Sequence, residues 1–355
     1  MNKAGISEAR VQLVAALLAG AWRPDPPAAD CNAEELELIR PLLIETGAAA
    51  LAWRRVSHSE PETSIAARQL HDVYRLYRLL IIVYRQEVAA LFKLLRSHSI
   101  EPILVKGWAI ARHYAEPGVR PCGDIDLCVR RPQHQHALEL LKRRAGASHS
   151  VDLHKGFQNL DDRGFDELYA RSEIVELEGE AIRVLSAEDH LRVLCYHFLR
   201  EGGWRPLWLC DIAAALEARP VDFDWGLCLG ASGRRALWVA CAIRLAQGLL
   251  KAEVRGAPAA VREAKLPSWL VPGILKEWEV RSMSQRHRAP IYAALSRPLS
   301  TLKWVRYHWP SPVEATVTLG GPFNELPRLP FQIGDCLSRT ARFIAHLPRQ
   351  LRNAG

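Results

Sequence analysis

The spacing of hydrophobic and polar residues changes along the chain, and the change predicts where helices give way to strands. From 62 to 97 apolar residues recur every three or four positions, which predicts one long amphipathic helix. We predict strands at the short runs 103–105, 124–129 and 151–154. Their residues are either all apolar or alternate between apolar and polar, as is typical of strands. The alternation from 173 to 185 predicts a hairpin with Glu178 and Gly179 at its turn. We therefore expect an α+β fold.

Helical spacing also appears on both sides of this strand-rich stretch. It predicts helices over 33–50, with Asn32 or Asp30 as the cap, and over 133–145, 187–200 and 225–251. The N-terminal apolar run is interrupted by Glu8 and Arg10, so we interpret it as a surface helix and not as a signal peptide. The predicted regions are N-terminal helices (1–98), an α/β catalytic core (99–185), a helical bundle (186–265) and a basic C-terminal region containing Pro and Trp (266–355).

Composition is that of an ordinary globular protein, with 49% hydrophobic residues. The eight cysteines are scattered without a Cys-x-x-Cys pair, which favours a reducing, cytoplasmic setting over a disulfide framework or a zinc site. No apolar run reaches the 18 or so residues of a membrane span.

The positive charge is concentrated near the C-terminus. The net charge is +8, and residues 281–355 contain 11 Lys and Arg against 3 acids. This surplus would attract an anionic partner, with nucleic acid possible but not favoured, or it is a solvated arginine-rich surface. Tryptophans among the arginines, such as Trp304, suit base stacking, a lipid interface or plain packing. A basic helix over 339–352, interrupted by Pro348, allows weak peripheral membrane contact.

The candidate chemistry lies on the predicted strands. Asp124 and Asp126 are two residues apart on one strand, so both side chains should point to the same face. Asp152 and His154 share a face of another strand in the same way. Neighbouring carboxylates repel each other unless a cation lies between them, and hard oxygen ligands suit Mg²⁺ or Mn²⁺. Alternatively, Asp124 and Asp126 are simply two solvated acids at the end of a strand.

A possible anion site precedes these acids. Lys106 and Gly107 follow the predicted strand at 103–105 and lead into a helical segment over 108–115. The free N–H groups and the dipole at a helix N-terminus favour an anion such as phosphate. Three carboxylates with an anion cradle are the parts of a two-metal phosphoryl-transfer site.

These residues in this order resemble the nucleotidyltransferase (polymerase beta-like) superfamily, and in particular its branch of uncharacterised bacterial nucleotidyltransferases. The resemblance is densest over 100–216 and rests on Lys106-Gly107, Tyr114, Arg120, Asp124-Ile125-Asp126 and Val151-Asp152-Leu153-His154. It implies a nucleotidyltransferase-fold core, a small mixed sheet with flanking helices, carrying helical extensions at both ends. It also implies that Asp124 and Asp126 are paired metal ligands and Asp152 the third catalytic carboxylate.

The resemblance further implies a triphosphate turn at Gly107. The superfamily usually has Gly-Gly or Gly-Ser there, whereas Gly107 is followed by Trp108, which offers no hydroxyl. Triphosphate binding would then depend on backbone N–H groups, Lys106 and Arg120.

Three further residues are assigned to substrate or nucleotide binding. His154 is placed there beside Asp152. His197 and Asp211 match residues recurrent in the branch and would shape the nucleotide or acceptor pocket; alternatively, they form a structural His–Asp pair between helices.

The expected function is Mg²⁺-dependent (or Mn²⁺-dependent) transfer of a nucleoside monophosphate. The donor would be ATP or another NTP, and the acceptor an unknown hydroxyl on a small molecule, peptide or glycan, with release of pyrophosphate. Two alternatives remain: sugar or phosphate transfer at the same site in natural-product or polysaccharide tailoring, or a non-catalytic nucleotide-binding protein.

Overall fold

The computed structural model of the protein describes residues 3–57, 59–144, 148–157, 162–230, 233–280 and 309–352. Within these ranges one five-stranded sheet is surrounded by helices, so the predicted α+β class is confirmed. The strands are β1 (Ile103–Leu104), β2 (Ile125–Val129), β3 (Val151–Lys155), β4 (Glu173–Leu177) and β5 (Glu180–Val184).

The sheet is mixed, with the strand order β3-β2-β1-β5-β4. β1 is antiparallel to β2 and parallel to β5, whereas β2 and β3 are parallel. β4 and β5 form the predicted hairpin, with Leu177 opposite Glu180 across its turn. The parallel pair β2–β3 therefore lies at one edge of the sheet.

Four helices precede the sheet: α1 (Lys3–Leu18), α2 (Ala33–Glu45), α3 (Ala49–Val56) and α4 (Ile65–Arg96), with a 3₁₀ turn over Glu60–Thr63. Asn32 caps α2, and its side chain and that of Glu35 form a reciprocal capping box. The helix expected over 33–50 is instead divided between α2 and α3. Gly47 separates them with a φ of +76°, a left-handed conformation that ends a helix.

Short helices flank the strands: α5 (Trp108–Ala111), α6 (His134–Lys142) and α7 (Phe165–Arg171), with a 3₁₀ turn over Arg131–Gln133. The helical segment predicted over 108–115 therefore ends four residues early. The predicted end of α6 at 145 lies outside the described residues.

The C-terminal half is helical. Its helices are α8 (Ala187–Arg200), α9 (Pro206–Glu217), α10 (Trp225–Leu229), α11 (Arg234–Leu250), α12 (Ala259–Arg262), α13 (Leu270–Val280), α14 (Pro312–Thr318) and α15 (Leu329–Arg352). α8 has the predicted bounds, and its cap Ser186 accepts a hydrogen bond from the backbone N–H of Asp189. α15 includes the predicted basic segment and continues through Pro348. Trp304 and residues 281–308 lie outside the described residues.

The largest hydrophobic core is shared by the N-terminal and C-terminal helices. It contains Leu18 of α1, Leu70 of α4 and Ile243 of α11, all fully buried. Full burial of such a side chain contributes roughly 1.5–3 kcal/mol. The predicted regions 1–98 and 186–265 thus pack against each other, while the boundaries proposed for the four regions stay predictions.

Two smaller cores cover the faces of the sheet. Phe92 of α4 packs against Leu104 and Ile125 on one face, and Val193 of α8 packs near Ile103 and Cys128 on the other. The strands are thereby fixed between α4 and α8.

Two findings concern the setting of the protein. All eight cysteines are free thiols in the structure. Among the described helices, none combines the length and apolar character needed to span a bilayer.

Candidate metal centre

Two acids and a histidine meet on the parallel strands β2 and β3. The register places Asp126 opposite Asp152 and Cys128 opposite His154. The side chains of Asp152 and His154 lie on the same face of β3, as predicted, because successive residues of a strand alternate between its two faces. The side chain of Asp126 lies on the same face of the sheet. His154 Nε2 lies 3.4 Å from Asp126 Oδ1 and 3.3 Å from Asp152 Oδ2. The potential ligand atoms of the three side chains all lie within 4.8 Å of one another.

This donor set fits a divalent cation. Ligands about 2.1 Å from a metal with octahedral geometry are separated from their neighbours by about 3 Å and from the opposite ligand by about 4 Å. The distances around His154 Nε2 fall in that range. Carboxylate oxygens suit Mg²⁺ and Mn²⁺, and an imidazole nitrogen is a better ligand for Mn²⁺ than for Mg²⁺. The three side chains could therefore hold one divalent ion from their positions on β2 and β3.

Lys106 neutralises the buried acid of this cluster. Its Nζ lies 2.7 Å from Asp126 Oδ1, and Asp126 is only 3% exposed. Burial alone would raise the pKa of the Asp126 carboxyl. The hydrogen bond with His154 and the charge of Lys106 outweigh burial and hold that pKa below its usual range. Asp126 is therefore a carboxylate at neutral pH.

Gly107 makes the turn between β1 and α5 at a φ of +61°. A Cβ atom at this position would lie 2.1 Å from the hydroxyl oxygen of Tyr84, so only glycine fits. The Tyr84 hydroxyl donates a hydrogen bond to the Asp124 carbonyl oxygen at 3.3 Å. The turn is thereby tied to the start of β2. The use of Gly107 and Lys106 for phosphate binding stays a prediction.

Asp124 lies one residue before β2, which begins at Ile125 and not at 124 as expected. Its side chain is exposed, and it is outside the group formed by Asp126, Asp152 and His154. Asp124 instead adds negative charge near Arg205. Its role as a paired metal ligand stays a prediction.

Arg120 and Asp211 form a buried ion pair. Arg120 donates from Nη2 to Asp211 Oδ2 at 2.8 Å and from Nε to Oδ1 at 3.1 Å. Tyr114 donates its hydroxyl to the same Oδ1 at 2.7 Å. Burial lowers and Asp211 raises the pKa of Arg120, and the net effect is well above its ordinary value. This network joins the loop before β2 to α9, and the predicted contacts of Arg120 and Asp211 with substrate stay predictions.

His197 lies on α8 beside the cluster. Burial lowers the pKa of His197 well below its ordinary value, and the charge of Lys106 acts in the same direction while Asp126 opposes it. The ring packs edge-on against Trp208, with 4.6 Å between centroids. Since Asp211 is bonded to Arg120 and Tyr114, the structure does not support the alternative of a His197–Asp211 pair. His197 is thus a neutral ring near the candidate metal ligands.

Two residues near the site were not predicted. Tyr84 lies on the long helix α4, and no local pattern indicates that it contacts Gly107. Arg205 donates from Nε to the Thr46 carbonyl at 2.6 Å, and burial lowers its pKa to about 10. The sequence gives only a weak indication of Arg205, because an arginine directly before Pro206 at the start of a helix is not distinctive.

The chain is similar to one described protein family and to a solved structure. A family described as "uncharacterised nucleotidyltransferase" matches residues 32–250, which is more than half of the chain. No curated protein matches the sequence. A solved structure, an antigenic nucleotidyltransferase-like protein from Paracoccidioides brasiliensis, is 18% identical with a TM-score of 0.36, over 50% of this chain and 96% of that chain. The family match spans β1 to β5 and all three residues of the cluster, and on that match the chain belongs to the uncharacterised nucleotidyltransferase family.

Proposed function

We propose that the protein transfers a nucleoside monophosphate from an NTP, such as ATP, to a hydroxyl group of an acceptor. The observation that carries the proposal is the convergence of Asp126, Asp152 and His154 on neighbouring strands in a chain of this family. Metal-dependent phosphoryl transfer uses such a set of ligands to hold its ion, whereas a purely binding protein does not require it.

Asp126, Asp152 and His154 would hold Mg²⁺ or Mn²⁺, with Asp124 as a further ligand. When bound, the ion supplies charge neutralisation for the triphosphate and acidifies the attacking hydroxyl. Lys106 balances Asp126 when the phosphates are absent and adds positive charge beside them when they are present. The Gly107 turn, which has no side chain, allows the phosphates to approach the backbone closely.

The transfer step uses the more exposed acid. Asp152 has a side chain that is 53% exposed, so an acceptor hydroxyl can reach it from solvent. Its carboxylate accepts the hydroxyl proton as the oxygen forms a bond to the α-phosphorus. The bond between the α-phosphorus and the bridging oxygen breaks, and pyrophosphate leaves with the bonding electrons. The acceptor is a small molecule, a peptide or a glycan.

Thermal unfolding with each NTP, with and without Mg²⁺, tests this function. An NTP present at 100 times its Kd should stabilise the wild type by about 3 kcal/mol, and only with metal. Asp126→Asn should abolish the shift, whereas Asp222→Asn, at an exposed surface position, should keep it. If no NTP shifts the wild type, or if Asp126→Asn shifts equally, the nucleotidyl-transfer proposal is wrong.

A further inference from the structure

A cavity of about 800 Å³ lies where α8, α11 and the end of α14 meet. Cavities of this size accommodate small-molecule ligands. Its charged lining consists of four arginines and two acids: Arg163, Arg192, Arg234, Arg235, Asp162 and Glu167. The lining therefore carries a surplus of two positive charges and suits an anion.

Backbone carbonyls hold two of the arginines in place. Arg192, with a side chain only 5% exposed, donates from Nη1 to the Leu229 carbonyl at 2.7 Å. Arg163 bonds to the Leu227 carbonyl and to the buried carboxylate of Asp189. Guanidinium groups fixed in this way lose little conformational entropy when they bind an oxyanion.

Arg235 is positioned by an aromatic stack. Its guanidinium lies over the ring of Tyr196, 4.7 Å from the centroid, and Tyr196 in turn stacks on Trp238. Arg234, the preceding residue, donates a hydrogen bond to the Gly320 carbonyl. Two of the four arginines thus come from α11, and a carbonyl of the segment that follows α14 holds one of them.

Asp162 bridges two of these guanidinium groups. It accepts a hydrogen bond from Arg192 Nη2 at 2.8 Å, and its Oδ2 lies 3.3 Å from Arg235 Nε as an ion pair, although its own side chain is 50% exposed. A carboxylate between two arginines marks the place where an oxyanion is stabilised. A phosphate, with more charge and more acceptor oxygens, competes with Asp162 for the same donors.

The cavity and the metal centre are on different sides of α8. Arg192 and Tyr196 are four residues apart and lie on one face of that helix. His197, which is beside the Lys106–Asp126 pair, is turned away from Arg192 by about 140° on the helical wheel. A ligand in the cavity is therefore separate from the reacting groups.

We propose that this cavity binds a small phosphorylated molecule through Arg163, Arg192, Arg234 and Arg235, and that the phosphate replaces Asp162 between Arg192 and Arg235. The site does not depend on the function proposed for the metal centre. Phosphate is favoured over a carboxylate ligand because its larger charge and its additional acceptor oxygens can pair with more than one guanidinium group at once.

Calorimetric titration with inorganic pyrophosphate in EDTA tests the proposal, since the chelator keeps the metal centre out of the measurement. The wild type should bind one equivalent, and Arg234→Gln/Arg235→Gln should weaken binding at least about tenfold. Arg255→Gln removes an arginine whose side chain is 83% exposed and should change nothing. Asp126→Asn should bind like the wild type, which separates this site from the metal centre.

Asp162→Asn tests the proposal through a gain in pyrophosphate affinity and not through a loss. Removal of the competing carboxylate should tighten pyrophosphate binding by about threefold or more, and by more than Glu167→Gln, which removes the same charge elsewhere in the lining. The proposal is wrong if millimolar pyrophosphate does not bind to the wild type, if the double arginine variant binds equally, or if Asp162→Asn gains nothing over Glu167→Gln.

Discussion

Asp126 lies directly opposite Asp152 across the parallel strands β2 and β3, and His154 Nε2 contacts a carboxylate oxygen of each. Burial differs sharply between the two acids. Asp126 is 3% exposed and paired with Lys106, whereas Asp152 faces solvent. Under the proposed function, this difference would give the acids different tasks: the buried one would hold position and charge, and the exposed one would be accessible to an acceptor.

The imidazole in the cluster predicts a choice of metal. Because nitrogen ligands favour Mn²⁺ over Mg²⁺, the wild type should bind Mn²⁺ more tightly. His154→Asp makes an all-oxygen donor set and should reduce the Mn²⁺/Mg²⁺ preference by about tenfold. Calorimetry with each metal measures the ratio, and His136→Asp, at an exposed position on α6, is the matched control. An unchanged ratio in His154→Asp would exclude His154 as a ligand.

Gly107→Ala tests the turn beside Lys106. The new methyl group would meet the Tyr84 hydroxyl at a backbone φ of +61°, so the unfolding free energy should fall by roughly 2 kcal/mol or more. Gly123→Ala is the control, because a Cβ there meets nothing within 4 Å. Urea unfolding compares them, and equal stabilities for the two variants would contradict the steric argument.

The buried pair of Arg120 and Asp211 should be costly to break. Asp211→Ala leaves the arginine charge uncompensated and should destabilise the protein by about 3–5 kcal/mol. Tyr114→Phe removes a single hydrogen bond and should cost about 1 kcal/mol. Chemical denaturation measures both. A loss below about 1 kcal/mol for Asp211→Ala would show that the pair does not support the loop before β2.

Stability should fall in mild acid because of buried histidines. Burial, with the nearby charges of His113, Arg112 and Arg120, lowers the pKa of His190 to about 3, whereas an unfolded histidine titrates near about 6.5. The unfolded chain therefore takes up the proton first. The associated stability is present above about pH 6.5 and is lost as the pH falls toward 3.

His190→Phe isolates this effect. Between about pH 4 and 6 the slope of unfolding free energy against pH should decrease by about 1.4 kcal/mol per pH unit relative to the wild type. Part of the slope remains, because burial also lowers the pKa of His113, to about 4. Urea titrations at several pH values give the slope, and identical slopes would show that folding does not lower the pKa of His190.

Local periodicity predicted much of the core. The alternation along 151–154 placed Asp152 and His154 on one face, the spacing around Ser186 predicted α8, and the turn at Glu178 and Gly179 predicted the hairpin. Each of these features depends on residues that are close in sequence, which is why a single sequence contains the information.

Pairings between distant residues were beyond such patterns. The register of β2 against β3, which brings His154 to Asp126, is fixed by packing of the sheet between α4 and α8. Arg120 pairs with Asp211, which lies 91 positions later in the chain. Tyr84 contacts the turn at Gly107 only because α4 packs on the sheet. Periodicity indicates which face a side chain occupies but not which distant residue it meets.

Binding of Mn²⁺, followed by electron paramagnetic resonance, tests the central claim that Asp126, Asp152 and His154 form a metal centre. The wild type should remove free Mn²⁺ from solution. Asp126→Asn and Asp152→Asn should each weaken that binding at least about 100-fold, while Asp222→Asn should not. Mn²⁺ affinity that is absent in the wild type, or unchanged in Asp126→Asn, would contradict the assignment of this cluster as the metal centre.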